Sequence, residues 1–261
     1  MVNSRPNSWN EITVAKFVEL YSLNRDKFKT EDEYNIHLLS ILTDTDVEKL
    51  EEIEYEEYEK LLLSISFIRT LPSKPAKYYV NTEAGLLHLK DNFNTLTIGE
   101  FVDLENLFTQ GYIKNLPIIL AILYRQKDIK KTLLYLDRFE PYGDWIFHRA
   151  QLFYDLPITE VYGICNKYLE YRADIFEKYS GLFDEVGDDS EEPFDENESV
   201  IARAEKRKEE ARQKSLKKWG WDVFILRLAQ NDPIRLDEAT KIPLLQALNI
   251  LAMKKELGIQ E

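Results

Sequence analysis

The chain has 261 residues, 44% of them hydrophobic and 31% charged, with a formal net charge of −13. That length supports one large domain or two modest ones around a real core, and the charge argues against binding polyanionic nucleic acid or membrane through the surface as a whole. The single cysteine, Cys165, excludes an intrachain disulfide framework and a cysteine-based zinc site.

The first element, "WNEITVAKFVEL" (Trp9–Leu20), reads as a helix start. The Thr13 hydroxyl is placed to accept from an orphan N–H of the first turn. Val14, Phe17, Val18 and Tyr21 then fall on one face at helical spacing. Leu38–Leu42 predicts a buried helix, and Asp46–Arg69 an amphipathic one. Tyr78-Tyr79-Val80 is β-prone, Thr82–Gly85 is a turn, and Leu86–Leu89 returns as a second strand. A lone hairpin is marginal in water, so this one must lean on the helices or pair with another chain.

"FNTLTIGEFVDL" (Phe93–Leu104) nearly repeats the first element about 84 residues later. Thr97 is again the cap, and Glu100 completes a T-x-x-E capping box whose place Lys16 occupies in the first copy. "ILAIL" (Ile119–Leu123) resembles "LLSIL" (Leu38–Leu42), and another amphipathic segment follows over 144–177. The expectation is a duplication, with a period far longer than those of ordinary solenoid repeats.

Composition then turns acidic with Gly and Pro over 180–199, a linker pattern. Residues 200–218 read as a long solvated helix of mixed charge, and 219–232 as an apolar helix broken at Asp232-Pro233. Asp237 is expected to cap a last helix ending near Leu257-Gly258, with Lys254 and Lys255 complementing its dipole and Pro243 in its first turns or at a kink. The fold class is therefore all-α, mainly helical with one small β-hairpin. Its parts are a first helical half (8–72), a hairpin connector (73–92), a second helical half (93–179), an acidic linker (180–199) and a C-terminal helical extension (200–261).

No catalytic chemistry is legible. His37, His88 and His148 lie in three predicted elements with no metal-ligand spacing, and Cys165 reads as a small buried hydrophobe. There is no phosphate-binding glycine loop, nucleophile elbow or H-E-x-x-H. The acidic run "EKLEEIEYEEYEK" reads as a solvated helix face, since nothing selects two carboxylates for a hydrolytic pair. The basic segment Arg203–Lys218 interleaves Glu205, Glu209 and Glu210, which suits i,i+4 pairing and protein contact better than phosphate binding. Neither a cofactor nor a metal is expected. "MVNSRPNSWN" lacks a signal-peptide apolar run, and Leu116–Tyr124 is half the length of a bilayer span, so an intracellular, soluble product is expected. The protein-interface candidates are Trp219, Trp221, Phe224 and Leu228, large amphipathic or apolar side chains around Gly220 beyond the acidic linker.

The W-x-x-I-T-V-x-x-F opening, the "LTIGEFVDLENLF" helix and the "LPIILAILYR" helix resemble helical structural and assembly proteins of tailed bacteriophages, especially crAss-like and related phages of Bacteroidetes. "WGWDVFILRLAQNDPIRLDEATKIPLLQALNILAMKKE" resembles the C-terminal part of their head–tail or tail assembly chaperone-like proteins. The resemblance implies a non-enzymatic virion component, an oligomeric head–tail or tail ring or connector protein. Its partners would be portal, tail or ring proteins and further copies of itself, with neither membrane nor nucleic acid expected. It would sit in the virion, and in the host cytoplasm during assembly. The alternative it implies is a tail assembly chaperone that binds a tail or tape-measure segment and is not retained in the virion.

Overall fold

A computed structural model describes residues 4–90, 93–127, 139–143, 145–183 and 220–259. Over these residues the chain is mainly helical, with a small three-stranded antiparallel sheet of order β1-β2-β3. Two compact units emerge, one of Met1–Phe93 and Leu104–Leu169, the other of Asn94–Asp103 and Glu170–Glu261. These boundaries differ from the sequence halves 8–72 and 93–179.

The first unit holds α1 (Val14–Ser22), α2 (Glu31–Thr43), α3 (Val47–Glu51), α4 (Tyr55–Ser64), β1 (Tyr79–Thr82) and β2 (Gly85–Leu89). It continues with the second half of α5 (Ile98–Thr109), α6 (Leu116–Leu123), β3 (Tyr124–Arg125), α7 (Ile146–Gln151), α8 (Ile158–Val161) and the start of α9 (Gly163–Lys178). The second unit holds the first half of α5, the rest of α9, α10 (Ser180–Phe183), α11 (220–228), α12 (Leu236–Thr240) and α13 (Leu244–Glu256).

Helix α6 is the centre of the first core. It is apolar all round, as a helix without a solvent face must be, and Leu116, Ile119, Leu120, Ala121, Ile122 and Leu123 are all buried. Each such Leu or Ile contributes about 2 kcal/mol on burial. The chain leaves α6 directly into β3, which pairs with β2 (His88↔Arg125, Leu89↔Tyr124). The expected hairpin thus gains a third strand. Its turn is the two residues Glu83-Ala84, closed by Gly85 at φ +105°, a conformation that glycine adopts without a Cβ clash. Val80, Leu87 and Leu89 are buried, so the hairpin leans on the body of its unit.

Thr13 and Thr97 both cap helices as expected. Thr13 Oγ1 accepts from Lys16 N at 3.3 Å. Thr97 forms the full box: its Oγ1 accepts from Glu100 N at 3.3 Å, and its N–H donates to Glu100 Oε2 at 2.7 Å. The α1 face buries Val14, Phe17 and Leu20, while Tyr21, expected on the core face, is 39% exposed.

Each of these starts is clasped to a second helix start that begins with proline. Val14 N donates to Leu156 O at 2.9 Å, and Ile158 N to Ile12 O at 2.8 Å, bridging Thr13 and Pro157. Ile98 N donates to Ile242 O at 2.9 Å, and Leu244 N to Leu96 O at 2.8 Å, bridging Thr97 and Pro243. Pro157 caps α8 and Pro243 caps α13, with φ of −57° and −54° and extended ψ. Every donor in these clasps is the first N–H of a helix, one of the groups a helix cannot satisfy for itself. The capping residues sit between the rungs, at the non-hydrogen-bonded position of an antiparallel pair. A proline there gives up no needed donor.

Aligned on the cap, the four starts share one burial pattern. The residue four before the cap is Trp9, Phe93, Phe153 or Ala239, all buried. The residue after it is Val14, Ile98, Ile158 or Leu244, and four after it stands Phe17, Phe101, Val161 or Ala247, again all buried. Asp237, expected to cap the last helix, instead lies inside the short α12, and Pro243 takes the capping role.

Candidate functional site

The cleft in the first unit is built on α7. Trp145, His148, Arg149 and Leu152 lie at i, i+3, i+4 and i+7, which puts them on one helical stripe. Leu87 of β2, Gln126 at the end of β3 and Glu140 complete the lining of a cleft of about 250 Å³. Arg149 is 5% exposed and is held from two sides: its guanidinium donates to Ala121 O of α6 at 2.7 Å and pairs with Glu140 Oε1 at 2.7 Å. A buried charge is tolerated only with such partners. Gln126 Nε2 donates to Ala84 O of the hairpin turn at 2.9 Å, and the backbones of Gln126 and Glu140 are joined by Glu140 N donating to Gln126 O at 3.1 Å. The wall is therefore fixed, while Trp145 is 70% exposed, with the His148 ring beside it at 5.5 Å between centroids.

The second feature is the outer edge of β1. Leu89 N donates to Tyr78 O at 2.8 Å, which makes Tyr79↔His88 a non-hydrogen-bonded pair. The N–H and C=O of Tyr79, and by the same alternation those of Asn81, point away from β2. Among the described residues no strand pairs with that edge. Tyr78 and Tyr79 beside it are 59% and 58% exposed, and Lys167 Nζ lies 4.3 Å from the centre of the Tyr78 ring.

The interface candidates of the C-terminal extension fall otherwise. Trp219 lies outside the described residues. Trp221 is half-buried, edge-on to Phe101 at 5.2 Å and next to Phe176 at 6.3 Å and Phe224 at 5.6 Å. Phe224 is buried and Leu228 half-buried. Phe224 thus belongs to the core of the second unit, with Trp221 packed beside it. The basic segment Arg203–Lys218 and the greater part of the acidic linker also lie outside the described residues.

The three histidines are not brought together. His37 Nδ1 lies 2.9 Å from Glu33 O in its own helix, and its ring packs on Phe28. Burial, and then the Lys127 charge, hold the His88 imidazole below its ordinary value. His148 lines the cleft. Cys165 is fully buried, and burial pushes its thiol up to about 12, which keeps it a neutral, unreactive thiol. The acidic run forms solvated surface on α3 and α4, where the Tyr58 hydroxyl donates to Asp32 at 3.2 Å and that of Tyr55 to Glu59 at 2.9 Å. No group of three or more His, Cys, Asp or Glu placed to hold a metal occurs among the described residues. Nor is any helix among them long and apolar enough to cross a membrane.

The cleft residues escaped the sequence reading. The α7 stripe has helical spacing, but Leu87, Gln126 and Glu140 reach it through the sheet, a long-range pairing that no local period announces. No family model, no curated protein and no solved structure matches the chain.

Proposed function

We propose that the chain is a non-enzymatic assembly component of a tailed bacteriophage, an oligomeric head–tail or tail ring or connector protein that acts by protein–protein contacts. The observation that carries this reading is the outer edge of β1, with which no strand pairs among the described residues, where the backbone groups of Tyr79 and Asn81 lie beside two exposed tyrosines. A strand edge of this kind recruits an extended segment through main-chain hydrogen bonds, with neighbouring side chains adding specificity. Exposed tyrosine is suited to such a contact, having a large apolar ring and a polar tip. In this reading the paired helix starts are an internal duplication, two related helical bodies that carry the edge, with the C-terminal helices as an extension of the second. Phage structural proteins are the partners, together with further copies of the chain.

Quantitative mass spectrometry of purified particles tests the proposal. The chain is expected at a stoichiometry of a ring, and Tyr79→Lys, which places a charge on the edge, is expected to lower its incorporation. Presence in infected lysate with absence from particles would instead mark a tail assembly chaperone.

A further inference from the structure

We propose that the α7 cleft is a binding site for a neutral sugar ring, a function separate from the assembly contacts proposed above. Three observations select this class of ligand. First, Trp145 presents an exposed indole at the wall of a cleft of about 250 Å³, room for one small ring, with Leu87 and Leu152 adding apolar lining. The apolar C–H face of a sugar ring stacks on such a surface, while its hydroxyls point outward to polar groups.

Second, acceptors gather around that platform. Among the described residues, the contacts of the Glu140 carboxylate fall on Oε1, from Arg149 at 2.7 Å and from Gln126 N at 3.4 Å, which leaves Oε2 as an acceptor. Gln126 uses Nε2 on Ala84 O, which leaves its Oε1 as another. His148 adds a ring nitrogen of either sense, and Trp145 an indole N–H. This set suits a ligand rich in hydroxyl donors that also accepts.

Third, the Glu140 charge is met within the wall by Arg149 at 2.7 Å, which suits a neutral polyol better than an ion. The wall is also fixed in advance by α6 and the sheet, so little ordering opposes binding.

The test uses the full-length chain labelled with ¹⁵N, following the indole N–H of Trp145, assigned by its loss in Trp145→Ala. Methyl glycosides of glucose, galactose, mannose and N-acetylglucosamine are titrated to about 50 mM, a range that covers millimolar affinity. At least one glycoside is expected to give a saturable shift of Trp145 and none of Trp9. Gln126→Ala is expected to weaken that binding by about tenfold, the loss of one well-made hydrogen bond. Circular dichroism checks that both variants keep the fold, and Trp145→Ala is expected to abolish the sugar's effects on the Gln126 side-chain amide. Absence of a saturable shift with every glycoside overturns the proposal. So does an equal or larger shift with N-acetyl-leucinamide or N-acetyl-argininamide, which would make the cleft a pocket for a partner's side chain. Particle incorporation plays no part in this readout, so the site and the assembly reading fail independently.

Discussion

Single residues carry much of the constraint on this chain. Gly163 opens α9 where residues 74–76 cross it. A Cβ there would lie 2.3 Å from Lys74 O, 2.7 Å from Ala76 N and 2.8 Å from Pro75 C, all backbone atoms. Gly163→Ala is therefore expected to cost about 3 kcal/mol or more in urea denaturation, at the upper end of overpacking. Gly181→Ala, where a Cβ meets nothing within 4 Å, is the matched control and is expected to be neutral or slightly stabilising. Buried acids set the alkaline limit of stability. Burial raises the Cys165 thiol from 9.0 to about 12 and the Tyr171 phenol from 10.0 to about 12. Tyr124 and Tyr162 are also raised by burial, with the Tyr112 hydroxyl adding to the effect at Tyr162. Raised values mean that the unfolded chain loses these protons first. Stability is then full below about pH 9 and falls as pH rises towards the folded values. Cys165→Ala removes one fully buried group. Its stability should fall less steeply between about pH 9 and 11, by up to about 1.4 kcal/mol per pH unit. An unchanged slope by chemical denaturation would show that the thiol does not contribute.

At the scale of elements, the recurrent device is the clasp between a threonine-capped and a proline-capped helix start. It explains why Trp9–Leu20 and Phe93–Leu104 look alike: each must bury an aromatic before the cap and an apolar pair after it, and each must offer its first N–H to a partner carbonyl. The two threonine caps are not equal. Thr97 has the reciprocal box with Glu100, which is itself fully buried, whereas Thr13 has only the hydroxyl contact. Thr97→Ala is expected to cost about 2 kcal/mol and Thr13→Ala about 1 kcal/mol, measured as paired shifts in thermal or urea unfolding. Equal costs would remove the box as a distinct contribution. The threonine starts were legible in sequence because a hydroxyl followed by a helical stripe is a local signal. The proline starts were not, since proline has no cap acceptor and its role here depends on a partner about 145 residues away. Pro243 read as a first-turn residue or a kink, and Asp237 drew the cap because its carboxylate is the commoner signal. The hairpin at 79–89 was readable from its β-prone Tyr78-Tyr79-Val80 run and the turn residues Thr82–Gly85. Its third strand was not, because "YR" after the wholly apolar α6 has no strand period of its own. The cleft was hidden for the same reason, being assembled by strand pairing from parts of the chain that show no shared pattern.

For the molecule as a whole, the two compact units place the C-terminal helices as core. Residues 94–103, the start of α5, belong with Glu170–Glu261. Leu96, Ile98 and Phe101 there are fully buried, and their neighbours come from the C-terminal region: Leu96 and Ile98 clasp Leu244 and Ile242, Gly99 lies against Thr240, and Phe101 meets Trp221. Tyr179 and Gly181 are likewise tied to α13, through Asn249 at 2.8 Å and Lys255 at 2.6 Å. Removing residues 200–261 would leave the first N–H of α5 without its carbonyl and expose three large apolar side chains, each worth about 2 kcal/mol when buried. That loss approaches the whole stability of an ordinary domain. A chain ending at residue 199 is therefore expected to bind a hydrophobic dye, lose helical circular dichroism beyond its share of residues, and elute as aggregate. A monomeric 1–199 chain with a cooperative transition and no dye binding would mean that the C-terminal helices are an appendage, free to serve as the partner contact. Phe224 is buried and Trp221 half-buried among the aromatics of the second unit, which argues for the first outcome, because side chains packed against their own unit have less surface left to anchor another protein.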